Sequence, residues 1–396
     1  MMARLGDYIE QIRGVSYKPE DVCAAQDKDA VAILRANNIQ DDGLNFDDLV
    51  YVKKSKVSAI QYIKAGDIVV CASSGSKNLV GKAAIATEDM DFSFGAFCKV
   101  VRPRKLLPSY VGHYFQSPKY RNKISELAGG ANINNIRNEH IDELDIVVPN
   151  TDEQERISIE LNKICHLISL RKQQLSKLDE LVKSRFIELF GDPLINEKGW
   201  TVSKLGEYMT LLTDFSSNGS YELLDSNVVM YDEPNYAIIV RTTDLESGNL
   251  SDGVKYIDRN AYELLAKSKI YGGELIMNKI GSAGKIYVMP KIDRPASLGR
   301  NAFMFRFDER LNMTYLYSLL TSDYGTAEIQ QYVRGAVTKT ITKESTRSIR
   351  IIVPPIALQE QFAAFVEQTD KSKLEIQKSL GELETLKKAL MQKYFG

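Results

Sequence analysis

The chain has 396 residues, a formal net charge of −1, 44% hydrophobic residues and 26% charged residues. This composition predicts two or three globular domains and excludes an intrinsically disordered chain. No apolar run approaches the roughly 18 residues of a membrane-spanning helix, and the first residues lack a signal-peptide core, so we expect a cytoplasmic protein. The cysteines are too widely spaced for a zinc or disulfide framework and are expected to be free thiols: Cys23, Cys71, Cys98 and Cys165.

Basic residues are concentrated in two parts of the chain. Residues 53–137 contain 14 Lys and Arg against 5 Asp and Glu, and residues 255–350 contain 16 against 9. A local excess of this kind is typical of proteins that bind phosphate groups, even when the net charge is near zero. Ordinary solvated surface charge explains the distribution equally well, so the interpretation needs support from motifs.

The first 149 residues predict a mixed domain of helices and strands. Residues 68–72 are short and β-branched, as in a strand, and residues 75–82 form a glycine-containing turn. Residues 109–127 have apolar positions three and four apart, which predicts a helix. A polar segment that opens with glycine follows at 129–137. The fold class we expect is α+β.

A long helix is predicted after Pro149. Thr151 and Gln154 form a capping-box pattern, in which the two side chains satisfy free backbone donors reciprocally. Alternate steps of four and three residues from Ile157 to Leu189 meet apolar residues at eight of ten positions, which is a coiled-coil seam. A helix of roughly 35 residues is about 50 Å long.

The second half of the chain repeats the first. Gln154-Glu155 recurs as Gln359-Glu360 and Phe190-Gly191 as Phe395-Gly396, each with an offset of 205 residues (359 − 154 and 395 − 190). Val147-Val148-Pro149 recurs as Ile352-Val353-Pro354 with the same offset. The openings Leu5–Tyr8 and Leu205–Tyr208 differ by 200. A nearly constant offset across such different motifs predicts two copies of one module of about 200 residues.

The second module contains the same elements in the same order. Residues 314–333 predict a helix, and residues 349–353 predict a strand. The second long helix lacks the capping threonine, and Lys373 and Lys387 interrupt its apolar seam. We therefore divide the chain into a mixed domain at 1–149, a long helix at 150–192, a second mixed domain at 193–355 and a distal long helix at 356–396.

Each apolar seam needs a partner, and we expect the two long helices to pair antiparallel as a coiled coil. Two similar domains at the ends of a rigid spacer would suit a protein that reads two half-sites on one DNA duplex.

These features resemble the specificity subunits of type I restriction–modification systems over nearly the whole chain. The resemblance is carried by the duplicated openings at 5–8 and 205–208, the Val-Pro turns before the Gln-Glu helices, the Phe-Gly helix ends and the segment 281–285. Gly199-Trp200 precedes the second opening. The first module departs from the pattern because it lacks a tryptophan before Leu5.

The resemblance implies two target-recognition domains, each reading one half of a split sequence in double-stranded DNA. It also implies that the long helices dock two adenine-methyltransferase subunits, and that ATP-dependent restriction subunits join the complex. S-adenosylmethionine and ATP are then expected on the partner subunits, with no cofactor on this chain.

Catalytic motifs are missing from the sequence. An adenine methyltransferase needs an Asn/Asp-Pro-Pro-Tyr/Phe loop to hold a flipped base, whereas Pro354-Pro355 follows a valine. Residues 75–82 hint at a phosphate-binding loop, but Ala83 stands where a magnesium-binding hydroxyl is needed. We therefore expect a non-catalytic chain with no bound metal.

The candidate DNA-contacting residues lie in two pairs of loops. Residues 129–137 supply amides that suit adenine edges, whereas residues 334–342 supply hydroxyls and a lysine that suit guanine or phosphate. Residues 76–82 and 279–285 combine small residues with lysines, which suits phosphate. Solvent-exposed turns would show a similar composition. The candidates are Lys77, Asn78, Lys82, Asn132, Asn134, Asn135 and Arg137 in the first module, and Lys279, Ser282, Lys285, Arg300, Asn301, Thr338, Lys339, Thr340 and Lys343 in the second.

Two other functions remain open at this point. The chain could be the specificity subunit of a methyltransferase–nuclease fusion system, because that difference lies in the partner. It could also be a duplicated coiled-coil adaptor that binds protein alone. Salt-sensitive binding to duplex DNA distinguishes a DNA-binding subunit from such an adaptor.

Overall fold

A computed structural model describes residues 1–128 and 134–396, and of Asn134 only the backbone. The chain divides into two compact units, of which the first is Met1–Ser176 with Leu374–Gly396 and the second is Lys177–Lys373. Each unit contains one mixed domain and parts of the two long helices. Within the described ranges, none of the helices is both long enough and apolar enough to cross a lipid bilayer.

The first unit begins with a domain of short strands. Its strands are β1 (Met2–Arg4), β2 (Ile9–Arg13), β3 (Ala30–Leu34), β4 (Ile39–Gln40), β5 (Gly43–Leu44), β6 (Val50–Lys53), β7 (Ile68–Cys71), β8 (Ser73–Ser74), β9 (Ala83–Ile85), β10 (Ser93–Phe94), β11 (Cys98–Pro103), β12 (Asn134–Asn135) and β13 (Asp145–Val147). Its helices are α1 (Pro108–Gln116), α2 (Pro118–Leu127), α3 (Asn138–Asp142) and the first part of α4 (Thr151–Phe190).

The main sheet of the first unit has the order β2-β11-β7-β9 and is antiparallel. A second sheet, β10-β3-β6, contains a parallel pair, β10 with β3. One face of the main sheet packs with α1, α2 and α4 around a buried cluster that includes Val101, Tyr110, Tyr120 and Leu161. All four cysteines of the chain are free, and Cys71 and Cys98 are buried on neighbouring strands of this sheet.

The second unit repeats these elements. Its strands are β14 (Thr201–Lys204), β15 (Met209–Asp214), β16 (Ala237–Val240), β17 (Lys255–Ile257), β18 (Lys269–Ile270), β19 (Leu275–Asn278), β20 (Ile286–Val288), β21 (Ala296–Leu298), β22 (Ala302–Phe307) and β23 (Arg350–Val353). Its helices are α5 (Tyr221–Asn227), α6 (Thr242–Ser247), α7 (Arg259–Leu264), α8 (Met313–Thr321), α9 (Asp323–Gln330), α10 (Lys343–Arg347) and the first part of α11 (Ile356–Phe395).

The sheets of the two units have matching topology. The order β15-β22-β19-β20 corresponds to β2-β11-β7-β9, and the pair β14-β23 corresponds to β1-β13. The sheet β17-β16-β21-β18 also contains one parallel pair, β16 with β21, and adds one strand, β18. The predicted α+β class, the duplication and the strands near residues 68 and 349 are therefore confirmed.

The helical segments predicted at 109–127 and 314–333 are confirmed, but each is divided into two helices. Ser117 separates α1 from α2: its hydroxyl donates to Tyr114 O (2.7 Å) and accepts from Tyr120 N (3.3 Å). Ser322 separates α8 from α9 in the same way. Each serine therefore closes one helix and caps the next, which apolar periodicity does not reveal.

The predicted capping box of α4 is also wrong. The residue that caps the helix is Asn150, whose side-chain oxygen accepts from Glu153 N at 2.9 Å. Gln154 points away from the cap, because its side chain accepts from Leu107 N (2.9 Å) and donates to Pro149 O (3.0 Å).

Gln359 makes the equivalent contacts in the second unit. Its side chain accepts from Asn312 N (2.8 Å) and donates to Pro354 O (2.8 Å), and it is fully buried. The repeated Gln-Glu motif therefore joins the start of each long helix to the mixed domain of the same unit.

The long helices pair antiparallel within each unit. In the first unit, Tyr394 of α11 donates to Glu160 of α4 at 2.5 Å, and Phe395 lies in the same buried cluster as Ile157 and Leu161. In the second unit, Phe186 packs edge-to-face on Phe362 (ring centroids 5.5 Å apart). The start of one helix thus meets the end of the other, as the seams predict.

Lys373, which interrupts the apolar seam of α11, is accommodated by an ion pair. Its ammonium lies 2.7 Å from Asp179 Oδ1 of α4, and its side chain is 21% exposed. The long aliphatic stem of a lysine can cover apolar surface while its charge is neutralised at the edge of the seam.

Candidate functional site

The predicted turns at 75–82 and 279–285 are equivalent hairpins in the two units. In the first, Gly81 N donates to Cys71 O and Cys71 N donates to Lys82 O, both at 2.8 Å. In the second, Gly284 N donates to Asn278 O and Asn278 N donates to Lys285 O, both at 2.9 Å. The two closing turns therefore share the same main-chain hydrogen bonds.

Glycine is required at the closing position of both hairpins. Gly81 and Gly284 have φ angles of +78° and +88°, which residues other than glycine rarely adopt. A Cβ atom at these positions would lie 2.6 Å from Ile124 of α2 and 2.5 Å from Ile329 of α9. The glycines let each hairpin pack closely on the helix below it.

In the first unit, backbone hydrogen bonds join the two candidate loops. The strand β12 pairs antiparallel with β8, so that Asn135 lies opposite Ser73. Ile136 N donates to Ala72 O at 2.8 Å. The hairpin and the segment around Asn135 therefore form one surface.

The second unit joins its candidate loops in the same way. Gly281 N donates to Lys339 O (3.0 Å), and Ile341 N donates to Lys279 O (3.1 Å). A groove of about 550 Å³ lies against this hairpin. Its lining includes Ser282, Lys285, Tyr317, Thr321, Thr326, Gln330 and Lys339.

The candidate residues of the first unit are mostly exposed. Lys77, Asn78, Asn135 and Arg137 lie on the surface, whereas Lys82 is partly buried. Asn132 lies outside the described residues, and the side chain of Asn134 is not described.

Arg121 of α2 supports the first hairpin from below. Its guanidinium donates to Val80 O (2.9 Å) and to Asn78 O (2.8 Å). These bonds fix the backbone that presents the exposed side chains of Lys77 and Asn78.

In the second unit, Ser282, Thr338 and Lys339 are exposed, and Thr340 is partly buried. Arg334 and Thr340 exchange backbone hydrogen bonds of 2.9 and 2.7 Å, which close the loop between them. Gly335 has a φ angle of +104° there. A Cβ atom on it would lie 2.1 Å from Thr338 O, so this loop too depends on glycine.

Two candidate lysines, Lys279 and Lys343, share a buried carboxylate that sequence reasoning missed. Lys343 Nζ lies 2.8 Å from Asp214 Oδ1, and Lys279 Nζ lies 2.9 Å from Asp214 Oδ2. Ser217 Oγ also donates to Asp214, at 2.6 Å. Burial would raise the pKa of Asp214, but the hydrogen bonds from Lys343, Ser217 and Lys279 lower it to about 2.

The Asp214 cluster connects three separate parts of the second domain. Asp214 ends β15, Lys279 precedes the hairpin and Lys343 begins α10. The two lysine side chains are only 16% and 30% exposed. The two lysines therefore join the points at which both candidate loops leave the domain. No periodicity or motif in the sequence marks Asp214 as their partner.

Arg300 and Asn301 are placed differently from each other. Arg300 forms an ion pair with Asp225 of α5 (3.1 Å) and stacks over Phe215 (5.2 Å from the ring centroid). Asn301 is exposed, and its backbone oxygen accepts from Lys279 N at 2.9 Å. The structure thus brings Asn301 to the base of the hairpin.

The first unit has a different polar network beneath its loops. Lys99 is 6% exposed, and its ammonium donates to Gln11 Oε1 (2.9 Å) and Asn138 Oδ1 (2.8 Å). Gln11 in turn donates to Asp142 Oδ1 at 2.7 Å. Burial lowers the pKa of Lys99 to about 8, against the opposing charge of Asp142. Asn138 is the residue that corresponds to Lys343 (343 − 138 = 205).

The two mixed domains match one known family. The family model of the type I restriction modification DNA specificity domain matches residues 1–180 and again residues 197–388. The chain belongs to this family and contains two of its domains, each a target-recognition domain.

The curated relatives agree with this assignment. The type I restriction enzyme EcoKI specificity subunit of Escherichia coli (strain K12) is 28% identical over 97% of this chain and 86% of its own length. The StySPI specificity subunit of Salmonella potsdam is 42% identical, over 43% of this chain and 37% of its own length.

Solved structures show a similar fold. The S subunit of a type I restriction–modification system from M. genitalium matches 100% of this chain and 96% of its own, with a TM-score of 0.57 and 15% identity. A chain from a study of complex assembly in the type I system matches 100% of this chain and 97% of its own, with a TM-score of 0.56.

Proposed function

We propose that this chain reads a bipartite sequence in duplex DNA for a type I restriction–modification complex, with one half-site read by each target-recognition domain. One observation carries the proposal. In each unit, backbone hydrogen bonds join the two candidate loops into one exposed polar surface at the same end of equivalent sheets. Such a surface combines exposed lysines that suit phosphate, such as Lys77 and Lys339, with side chains that can reach base edges.

The two surfaces carry different chemistry, as two different half-sites require. Asn135 and Arg137 in the first domain supply an amide and a guanidinium, which suit adenine and guanine edges in the major groove. Thr338 and Lys339 in the second supply a hydroxyl and an ammonium, which suit guanine or phosphate. Hydrogen bonds to phosphate position a protein on DNA, whereas these side chains would select the sequence.

The long helices are the proposed docking site for two adenine-methyltransferase subunits. Besides its buried seam, α4 exposes large apolar side chains on other faces, and α11 exposes Leu374 and Leu386. Those of α4 are Ile159, Leu167, Leu170, Leu181 and Ile187. Exposed apolar surface on a helix that already has a partner favours a further protein contact.

The reaction itself is assigned to the partners. In this proposal the methyltransferase subunits bind S-adenosylmethionine, ATP-dependent restriction subunits join the full complex, and this chain contributes recognition without catalysis. A methyltransferase–nuclease fusion as the partner would leave the recognition role unchanged.

The test is binding of the full-length chain to duplex DNA over a range of salt concentrations. Phosphate contacts make the affinity fall steeply as salt rises, with a log–log slope of about −0.9 for each phosphate neutralised. A slope corresponding to several phosphates would support the proposal. Binding that is absent at low salt would contradict it and favour a protein-only adaptor.

A further inference from the structure

Both recognition hairpins end in a lysine that faces a carboxylate. Lys82 Nζ lies 3.4 Å from Asp41 Oδ1 in the first unit, and Lys285 Nζ lies 3.5 Å from Glu246 Oε1 in the second. Each lysine directly follows the glycine that closes its hairpin.

Different local structures bring these two acids to equivalent lysines. Asp41 lies in the turn between β4 and β5, whereas Glu246 lies in the helix α6. The two segments differ in secondary structure. A carboxylate beside the hairpin lysine is nevertheless present in both units.

Folding stability does not explain these pairs. The Asp41 side chain is 86% exposed, and the Lys285 and Glu246 side chains are 53% and 36% exposed. Ion pairs in contact with solvent contribute little to the free energy of unfolding, because water screens them and two long side chains must be ordered. Their position beside the candidate DNA surface suggests an effect on binding instead.

We propose that Asp41 and Glu246 are specificity-determining positioning residues, which keep the hairpin lysines from binding DNA phosphates regardless of sequence. The inference rests on the proposed function. Phosphate is present on every duplex, so a free lysine at this surface would strengthen binding to all sequences alike. A neighbouring carboxylate occupies the lysine and keeps it from phosphate, so that a larger part of the affinity comes from base contacts.

The experiment compares full-length chains that carry Asp41→Asn or Glu246→Gln with the unmodified chain. The probes are a duplex of fixed arbitrary sequence and a pool of randomised duplexes. We expect each variant to bind the arbitrary duplex roughly 3- to 10-fold more tightly, with a log–log salt slope steeper by about one phosphate. Selection from the pool should show weaker base preference in one half-site only, and a different half-site for each variant.

Matched controls come from acids at the opposite end of the same sheets. Glu10 pairs with Arg104 in the first unit, and Asp308 pairs with Arg310 in the second. The variants Glu10→Gln and Asp308→Asn remove the same charge far along the strands from the hairpins. They should change the affinity for the arbitrary duplex less than 2-fold.

A second measurement tests whether the lysine mediates the effect. In a chain that already carries Lys82→Met, the further change Asp41→Asn should leave the affinity unchanged, because the group that the acid restrains is gone. The inference is overturned if Asp41→Asn and Glu246→Gln behave like the controls, or if the effect of Asp41→Asn persists without Lys82. Absence of salt-dependent binding by the unmodified chain would instead overturn the proposed function itself.

Discussion

The two target-recognition domains share a backbone frame but differ in the polar groups beneath their loops. Equivalent hydrogen bonds close both hairpins, and Gln154 and Gln359 make equivalent contacts with the start of each long helix. Beneath the loops, however, the buried Lys99 of the first domain donates to two neutral amide oxygens, whereas the buried Asp214 of the second lies between two lysines. A duplicated fold can therefore retain its main-chain bonds while its side-chain chemistry diverges.

This difference shows which parts of a recognition domain can change independently. The closing glycines and the strand pairing set where the loops lie, and neither depends on the identity of the exposed side chains. The network beneath the loops need only satisfy its own buried polar groups, and two different solutions are present in one chain. Base preference can then change without loss of the fold.

The largest effect on the free energy of unfolding should come from replacing the aromatic residues that are equivalent in the two units. Phe395 packs on Tyr110 (ring centroids 5.2 Å apart), and Phe190 packs on Tyr315 (4.7 Å). Phe395→Ala and Phe190→Ala should each lower the free energy of unfolding by about 3–5 kcal/mol, because each leaves a cavity in a buried cluster. Denaturant unfolding measures both, and a cost below about 1 kcal/mol for either would contradict the structural equivalence.

The second effect on the free energy of unfolding should differ between the two domains, because only the second domain has the buried carboxylate at this position. Asp214→Asn removes the partner shared by Lys279 and Lys343 and should cost about 3 kcal/mol. Gly14 takes the place of Asp214 in the first unit (214 − 200 = 14), so the control is Arg13, the exposed last residue of β2. Arg13→Gln should change the free energy of unfolding by less than about 0.5 kcal/mol. Similar values for the two variants would show that the Asp214 cluster does not stabilise the second domain.

The third effect is a pH dependence of the free energy of unfolding of the first unit. His113 is buried, and its Nε2 lies 2.8 Å from Asn162 Oδ1. Burial lowers the pKa of His113 to about 4, with Lys387 acting in the same direction and the hydrogen bond to Asn162 opposing it. The unfolded chain therefore binds a proton below about pH 6.5 that the folded chain does not, so stability falls as the pH falls from 6.5 towards 4.

Ser318 occupies the position of His113 in the second unit (318 − 113 = 205). Between pH 7 and pH 5, His113 should cost the first unit about 2 kcal/mol. Urea unfolding at the two pH values measures this loss, with His113→Asn as the control that should reduce it. An equal loss of stability with and without the histidine would exclude His113 as the cause.

The smallest effects should be on base preference. Replacing Asn135 and Arg137 together by alanine should cost about 1–3 kcal/mol of discrimination in one half-site, since each good base contact contributes on that scale. The matched pair Thr338→Ala with Lys339→Ala should affect the other half-site. Competition binding to randomised duplexes measures both, and equal losses in both half-sites from one pair would contradict the division of labour.

The sequence predicts the repetitive and periodic parts of this structure well. The offset of 205 residues predicts the matching sheets, and the apolar spacing from Ile157 to Leu189 predicts the antiparallel helix pairing found in each unit. These signals survive in the sequence because many residues contribute to each of them.

The single polar contacts could not be predicted. Asp214 meets Lys279 and Lys343 across 65 and 129 residues of chain, and Asp41 meets Lys82 across 41 residues (82 − 41). Neither pairing has a period or a motif, because each depends on one distance in the folded domain. The helix cap was misassigned for a related reason: Thr151 and Asn150 are both good caps, and the backbone geometry selects Asn150.

The most direct test of the account is the sequence of the DNA sites that are methylated in cells carrying this chain together with its methyltransferase subunits. Sequencing of modified adenines should give a motif of two specified parts separated by unspecified bases, and exchange of the residues at 334–342 should alter one part alone. A single continuous motif, or a motif that stays the same when this chain is replaced, would contradict the claim that its two domains each read half of the target.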